Sequence, residues 1–359
     1  MIGLRRTEDV LNGALESRVF SAVSAEIGRS TGPIWTHAAG TLTFDGDAPR
    51  VDAATIFDLA SLTKVIATTT IALRQWAQGL AHVDEPVHTF VSEWTGADRA
   101  TVTLRDLLEH SSGLPGYRDY FRRLEGRAAY AGAIAAEPLD YPPRKRAIYS
   151  DLGFMTLGFG LERRLGQPLD RQFDAWRDAV GVVEPLAYLP PAHWKPRIAS
   201  TEQDPWRGRM LSGEVHDENA AALGGVAAHA GLFGTAAAVG AAARWWMALI
   251  DGHDDRATGI PASLAQRFIQ RSEVPGSTRA LGWDTMTPTS SCGTRMSARA
   301  FGHTGFTGTS LWIDPSPGLY FVLLTNRVHP TRSNEGIRAI RRAFHDAAVS
   351  ELIDVAHTS

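Results

Sequence analysis

Apolar residues repeat with a helical period at the start of the chain, where Val10, Leu11, Ala14 and Leu15 share one face of residues 4–17. Two strand-like runs follow, Val19–Ile27 and Ile34–Phe44, separated by Gly28 and the pair Gly32-Pro33, which punctuate a hairpin. After a polar loop through Gly46 and Pro49, Ile56-Phe57-Asp58 leads into a strongly apolar pattern that predicts a helix from Leu59 to Gln78. Asp58 serves as its cap and Gly79 as its stop. From Ala81 to Gly213 the strand signal nearly vanishes. Short helical patterns, Leu104–His110 and Gly153–Leu165 among them, alternate with loops marked by Ser112–Gly116, Pro142-Pro143, Pro190-Pro191 and Pro205. Strand character returns in Ala280–Asp284, Ala300–Thr304, Thr309–Asp314 and Leu319–Thr325, with a tight turn at Pro315–Gly318, and a last helix covers Ser333 to Ala356.

This order predicts an α+β fold. Strands from both ends of the chain make one antiparallel sheet flanked by the terminal helices, with a mainly helical domain inserted between them. The expected division is an α/β domain from residues 1–80 and 220–359 and a helical insert from 81–219. The longest stretch free of charged residues, Ala220–Ala243, is long enough to span a bilayer. Its Ala and Gly content and the internal His229 mark it as packed interior, so no membrane association is expected.

Composition narrows the chemistry. A formal net charge of −3 leaves no basic footprint for nucleic acid or an anionic membrane. The single cysteine, Cys292, excludes an internal disulfide framework and a thiolate zinc cluster. There is no His-Glu-x-x-His helix, and His82 and His88 lie in a Pro-containing loop, so no metal site is expected. Gly158-Phe159-Gly160 meets Arg163 where a third glycine would bind a dinucleotide, and no Gly-Lys-Ser/Thr phosphate loop exists, so no cofactor is expected. Arg5-Arg6 precedes Thr7-Glu8-Asp9 rather than an apolar stretch. A cytoplasmic location is therefore expected, or a periplasmic or secreted one if a leader has been removed.

Of the 36 basic residues only Lys64, Lys145 and Lys195 are lysines. Codon bias explains much of this, yet a retained lysine points to work that needs a group able to lose its proton, which arginine cannot do. Lys64 stands one helical turn after Ser61, near the expected helix start where unpaired N–H groups favour developing negative charge. Leu62, Val65 and Ile66 would bury this turn and depress the lysine's pKa toward that of a useful base. The bland alternative is a polar stripe on an ordinary amphipathic helix. Tyr149-Ser150-Asp151 opens the helical pattern at Leu152, where Tyr149 is either a proton-transfer group or simple packing. Phe301-Gly302-His303-Thr304-Gly305-Phe306 enters the late strands. Gly305 would allow a ligand close to an edge strand, and the alternative is a glycine-rich strand entry with no further role.

In this order Ser61-Leu62-Thr63-Lys64, Tyr149-Ser150-Asp151 and His303-Thr304-Gly305 resemble the three signatures of the penicillin-recognising serine hydrolases. The nearest branch is that of class C β-lactamases, DD-peptidases and related carboxylesterases. The run from Thr103 to Pro115, and Val215-His216-Asp217-Glu218-Asn219 followed by Ala230-Gly231-Leu232-Phe233, resemble the same branch. The resemblance implies a β-lactamase/transpeptidase-like fold and an acyl-enzyme on Ser61. It further implies Lys64 and Tyr149 as the acid/base pair, the amides of Ser61 and Phe306 as oxyanion hole, and Asp151, His303, Thr304 and Gly305 as substrate-binding residues.

Two departures shape the expected chemistry. Asp151 stands where many β-lactamases carry Asn, and would pair with Lys64, keep it protonated and leave the base role to Tyr149. His303 stands where β-lactamases carry Lys, as it does in DD-peptidases, and disfavours fast β-lactam hydrolysis. Arg327 and Arg332 are candidates for the missing positive charge, or are solvated surface residues. The expected substrate is a small-molecule ester, a β-lactam or a D-amino-acid peptide. The alternative function is a non-catalytic module of the same fold that binds penicillin or cell-wall peptides.

Overall fold

The computed structural model describes residues 2–358, with side chains through Ile353; Met1 and Ser359, the ends of the expected outer segments, lie outside the described residues. The strands are β1 (Ala22–Arg29), β2 (Gly32–Gly40), β3 (Phe57–Asp58), β4 (Leu186–Tyr188), β5 (Gln203–Asp204), β6 (Arg209–Met210), β7 (Leu232–Gly234), β8 (Asp284–Thr285), β9 (Phe301–Thr304), β10 (Ser310–Asp314) and β11 (Leu319–Thr325). The helices are α1 (Arg5–Glu16), α2 (Thr69–Ala77), α3 (Leu104–Leu108), α4 (Arg127–Ala136), α5 (Asp151–Leu165), α6 (Leu169–Val180), α7 (Glu218–Ala222), α8 (Ala236–Ile250), α9 (Ala262–Phe268) and α10 (Ile337–Thr358).

The main sheet runs β2-β1-β11-β10-β9-β8, antiparallel throughout, so the first and last strands of the chain meet at β1 and β11. Both of its faces are covered, which explains the unbroken apolar run of β11. Tyr320, Val322 and Leu324 point to the face under α8, while Phe321 and Leu323 point to the face under α1 and α10. The α8 face shares one continuous core with the helical middle of the chain, including Leu107, Phe154, Leu157 and Trp176. The uncharged stretch 220–243 is largely buried, forming part of α7, then β7 and the first half of α8. Among the described residues no helix is long and apolar enough to cross a membrane.

Two local expectations fail for tertiary reasons. The helix predicted from Leu59 starts later, because Phe57 and Asp58 form strand β3 and Leu59 is tied down directly after it. Phe57 and Asp58 pair with Gly234 and Phe233, and the Leu59 amide donates to the Leu232 carbonyl. Ala60 then turns left-handed (φ 46°), and the chain enters a π-helical turn at Lys64–Thr68, closed by the Thr69 amide on the Lys64 carbonyl, before α2 begins. The strand expected at Ala280–Asp284 shrinks to Asp284–Thr285. Gly282 adopts φ 85° and the Ala280 amide closes a turn onto the Trp283 carbonyl.

Candidate active site

The three sequence signatures converge on one cleft of about 290 Å³, whose walls include Ser61, Tyr149, His303, Thr304, Gly305 and Phe306. Ser61 sits between strand β3 and the π-helical turn. Its Oγ accepts from Lys64 Nζ at 3.0 Å and from the Tyr149 hydroxyl at 2.8 Å. Lys64 is wholly buried. Its ammonium also donates to the His229 carbonyl at 3.0 Å and forms an ion pair with Asp151 at 2.7 Å. Burial alone would depress its pKa, but the Asp151 carboxylate and Tyr149 outweigh burial and hold it above the usual lysine value. Burial pushes the Tyr149 phenol up, only partly opposed by the ammonium beside it. Both groups are therefore protonated at rest.

Tyr149 and Asp151 are placed by the start of α5. Ser150 caps that helix, accepting from the Gly153 amide at 3.1 Å and donating to the Pro115 carbonyl at 2.6 Å, while the Asp151 amide donates to the Gly116 carbonyl at 2.9 Å. The Thr103–Pro115 run supplies the support. Thr103 and Asp106 form a capping box on α3, and His110, left-handed at φ 57°, accepts from the Ser150 amide on Nδ1 at 3.0 Å. Its ring lies 4.6 Å from that of Tyr149. Since Nδ1 is an acceptor, neutral His110 carries its proton on Nε2.

His303 has the opposite tautomer. Its Nδ1 donates to the Thr304 carbonyl at 2.9 Å, leaving a lone pair on Nε2. Burial, reinforced by Arg279 and Lys64, drives the pKa of His110 and of His303 well below the ordinary imidazole value, so both stay neutral. β8 pairs only with Phe301 and Gly302, so His303 and Thr304 lie on an open strand edge. Gly305 leaves room at the turn beyond: a Cβ there would stand 2.6 Å from the Leu59 carbonyl oxygen and overlap Thr309 Oγ1. Among the described residues no acceptor engages the amide of Ser61 or of Phe306.

The cations of the cleft differ from expectation. Arg332 is tied up by Glu202 and Glu218 at 2.7 Å each. Arg327 is buried and donates to the carbonyls of Phe306, Arg332 and Asn334. Arg341 donates through one terminal nitrogen to the Gly305 and Thr309 carbonyls, its Nε has no partner among the described residues, and burial lowers its pKa to about 9. Arg338 pairs with Glu335 at 2.7 Å. Arg279, which sequence reasoning missed, is different. Its guanidinium lies 5.3 Å over the Tyr149 ring, its nearest carboxylate contact is Asp284 at 3.9 Å, and no hydrogen-bond acceptor engages it among the described residues. Its place beside an expected strand gave no signal of this role. Among the described residues no three His, Cys, Asp or Glu cluster so as to hold a metal ion.

The beta-lactamase family profile matches residues 8–345. An Escherichia coli K12 protein bearing the provisional name D-alanyl-D-alanine carboxypeptidase is 32% identical over 312 residues, covering 77% of this chain and 70% of its own. The N-acetylmuramyl-L-alanine amidase of Bacillus subtilis is 33% identical over 308 residues, 77% of this chain and 68% of its own. Among solved structures, EstCE1, a hydrolase with promiscuous acyltransferase activity, superposes with a TM-score of 0.76 at 18% identity, covering 96% of this chain and 98% of its own. A penicillin-binding protein homologue from Caulobacter crescentus gives 0.75 at 18% identity, covering 97% of both chains. The structures share the fold, and the profile and sequence relatives establish kinship: the chain belongs to the beta-lactamase family.

Proposed function

We propose that this protein is an acyl-serine hydrolase that cleaves an amide or ester bond on the acyl side of a carboxylate-bearing leaving group, a D-alanyl peptide being the best fit. The observation that carries the reading is the double contact on Ser61 Oγ from Lys64 and Tyr149 within an open cleft. Lys64 is a poor base as it stands, since His229, Asp151 and Ser61 surround all of its donors and its proton is held tightly. It acts instead as the fixed positive charge that makes a Tyr149 phenolate attainable. That phenolate takes the Ser61 proton as Oγ attacks the acyl carbonyl, and the free amides of Ser61 and Phe306 receive the oxyanion. The phenol then returns the proton to the departing nitrogen or oxygen, and the reverse relay through water frees Ser61.

Arg279 supports the leaving-group preference. Among the described residues it is the cleft guanidinium without a close acceptor, and it lines the cleft together with Tyr149 and with His303 at the open strand edge. The names of the Escherichia coli and Bacillus subtilis relatives point to D-alanyl-D-alanine and N-acetylmuramyl-L-alanine bonds, and that of EstCE1 to acyl transfer. The test is a panel of N-acyl-D-Ala-D-Ala, p-nitrophenyl acetate and nitrocefin, run on the wild type, Ser61→Ala and Arg279→Ala. Ser61→Ala removes turnover of all three and the adduct mass left by a fluorophosphonate. Arg279→Ala raises KM for the peptide about tenfold or more and leaves the neutral ester within about twofold. Unchanged turnover in Ser61→Ala refutes the reading. Absence of a Ser61 adduct in the wild type favours a non-catalytic binding module.

A further inference from the structure

We propose that Asp58, buried behind the nucleophile and outside the cleft, is a positioning residue that sets the spacing of the two oxyanion amides; this rests on the reading of Ser61 as nucleophile. Asp58 ends β3, two residues before Ala60 and three before Ser61. Its Oδ1 accepts from the Ala60 amide at 2.8 Å, holding the left-handed residue that turns the chain toward Ser61. Its Oδ2 accepts from the His216 amide at 2.6 Å. The His216 ring stacks on Phe306, with centroids 5.6 Å apart and planes 28° from parallel, and is oriented by Glu202, 2.8 Å from Nε2. Glu202 is fixed in turn by the Arg332 amide and side chain.

A second set of bonds closes the circuit. Thr307 Oγ1 donates to the Asp58 carbonyl at 2.7 Å, and Thr309 Oγ1 to the Leu59 carbonyl at 3.0 Å. The segment before Ser61 is thus tied directly to the turn that carries the Phe306 amide, and indirectly to its ring through His216. Both oxyanion donors hang from this one frame. Among the described residues the Asp58 side chain meets no Lys or Arg; its acceptor bonds are to two backbone amides, and burial raises its carboxyl above the ordinary range. A buried carboxylate kept on amides alone is costly, and the cost is explained if those amides must be held in place. Asparagine is the same shape but would turn its own NH2 against one of the two amides, so one tie fails while the volume is kept.

The experiment uses the full chain with Asp58→Asn and Thr307→Val, scoring kcat and KM on an ester per Ser61 site titrated with fluorophosphonate, together with the Ki of a boronic acid that forms a tetrahedral Ser61 adduct. The expected result for Asp58→Asn is a kcat lowered about 10- to 100-fold, KM within about threefold, and boronate affinity lost in step with kcat. Thr307→Val moves the same quantities in the same direction by less. A lowered melting temperature with kcat per titrated site unchanged in both variants overturns the proposal. If Asp58→Asn does not fold, Thr307→Val alone decides by the same criterion. Labelling of wild-type Ser61 with unchanged variant kinetics refutes the positioning role alone, whereas no labelling of the wild type overturns the nucleophile reading along with it.

Discussion

Replacing Asp151 by Asn removes the charge partner of a lysine that has no exposure at all. At 2.7 Å the ion pair has a gross attraction of about 6 kcal/mol at an effective dielectric of about 20. Removing one partner of such a pair commonly costs about 3–5 kcal/mol. Lys64 has one escape, which is to release its proton. With an unfolded pKa of about 10.4 and about 1.36 kcal/mol per unit, holding it neutral at about pH 7 costs about 4.6 kcal/mol, which limits the penalty of the unpaired lysine in the variant. In the wild type the lysine's folded pKa lies above its unfolded value, so its stabilising contribution is complete below the unfolded pKa and fades only as pH rises through the folded one. In Asp151→Asn the main raising influence is gone and burial depresses the pKa instead. The folded state then binds fewer protons than the unfolded state, and stability must rise with pH by up to about 1.4 kcal/mol per unit until about pH 10. Urea unfolding of both proteins at several values between about pH 7 and 9.5 checks this. Curves that stay parallel would mean that Lys64 keeps its proton without Asp151, and the electrostatic account of the site would be wrong.

Two further outcomes test other parts of the site. Because the Tyr149 phenol is raised and both imidazoles are held neutral, kcat/KM for a neutral ester should climb steadily through the alkaline range, with no inflection near the usual imidazole pKa of about 6.5. A neutral-range inflection that disappears in His303→Asn would contradict this. Gly305→Ala would force a methyl group against the Leu59 carbonyl and Thr309 Oγ1. It should cost about 1–3 kcal/mol in chemical denaturation and lower kcat by more than the folded fraction explains; an active, fully stable variant would show that the turn moves freely.

Much of the scaffold was legible because it depends on neighbours in sequence. The period of α1, the hairpin of β1 and β2, the turn between β10 and β11 and the Ser150 start of α5 are each written in a few adjacent residues. The signature residues Ser61, Lys64, Tyr149 and His303 were legible through three motifs and the family they resemble, and the structure brings Ser61, Tyr149 and His303 into one cleft with Lys64 buried against Ser61. Tertiary structure decided the rest. The helix expected at Leu59 starts later because Leu232, Phe233, Thr307 and Thr309, remote in sequence, supply partners for residues 58–59. Arg327, Arg332 and Arg279 look alike as letters. Only the fold spends the first two on carbonyls and carboxylates and leaves the third over Tyr149. The tautomers of His110 and His303 follow from which backbone group each Nδ1 meets, and those groups take their places only when the chain has closed. Local pattern is set by short-range sterics and the spacing of apolar side chains, whereas protonation, pairing and strand termini depend on burial and on contacts made across the whole chain.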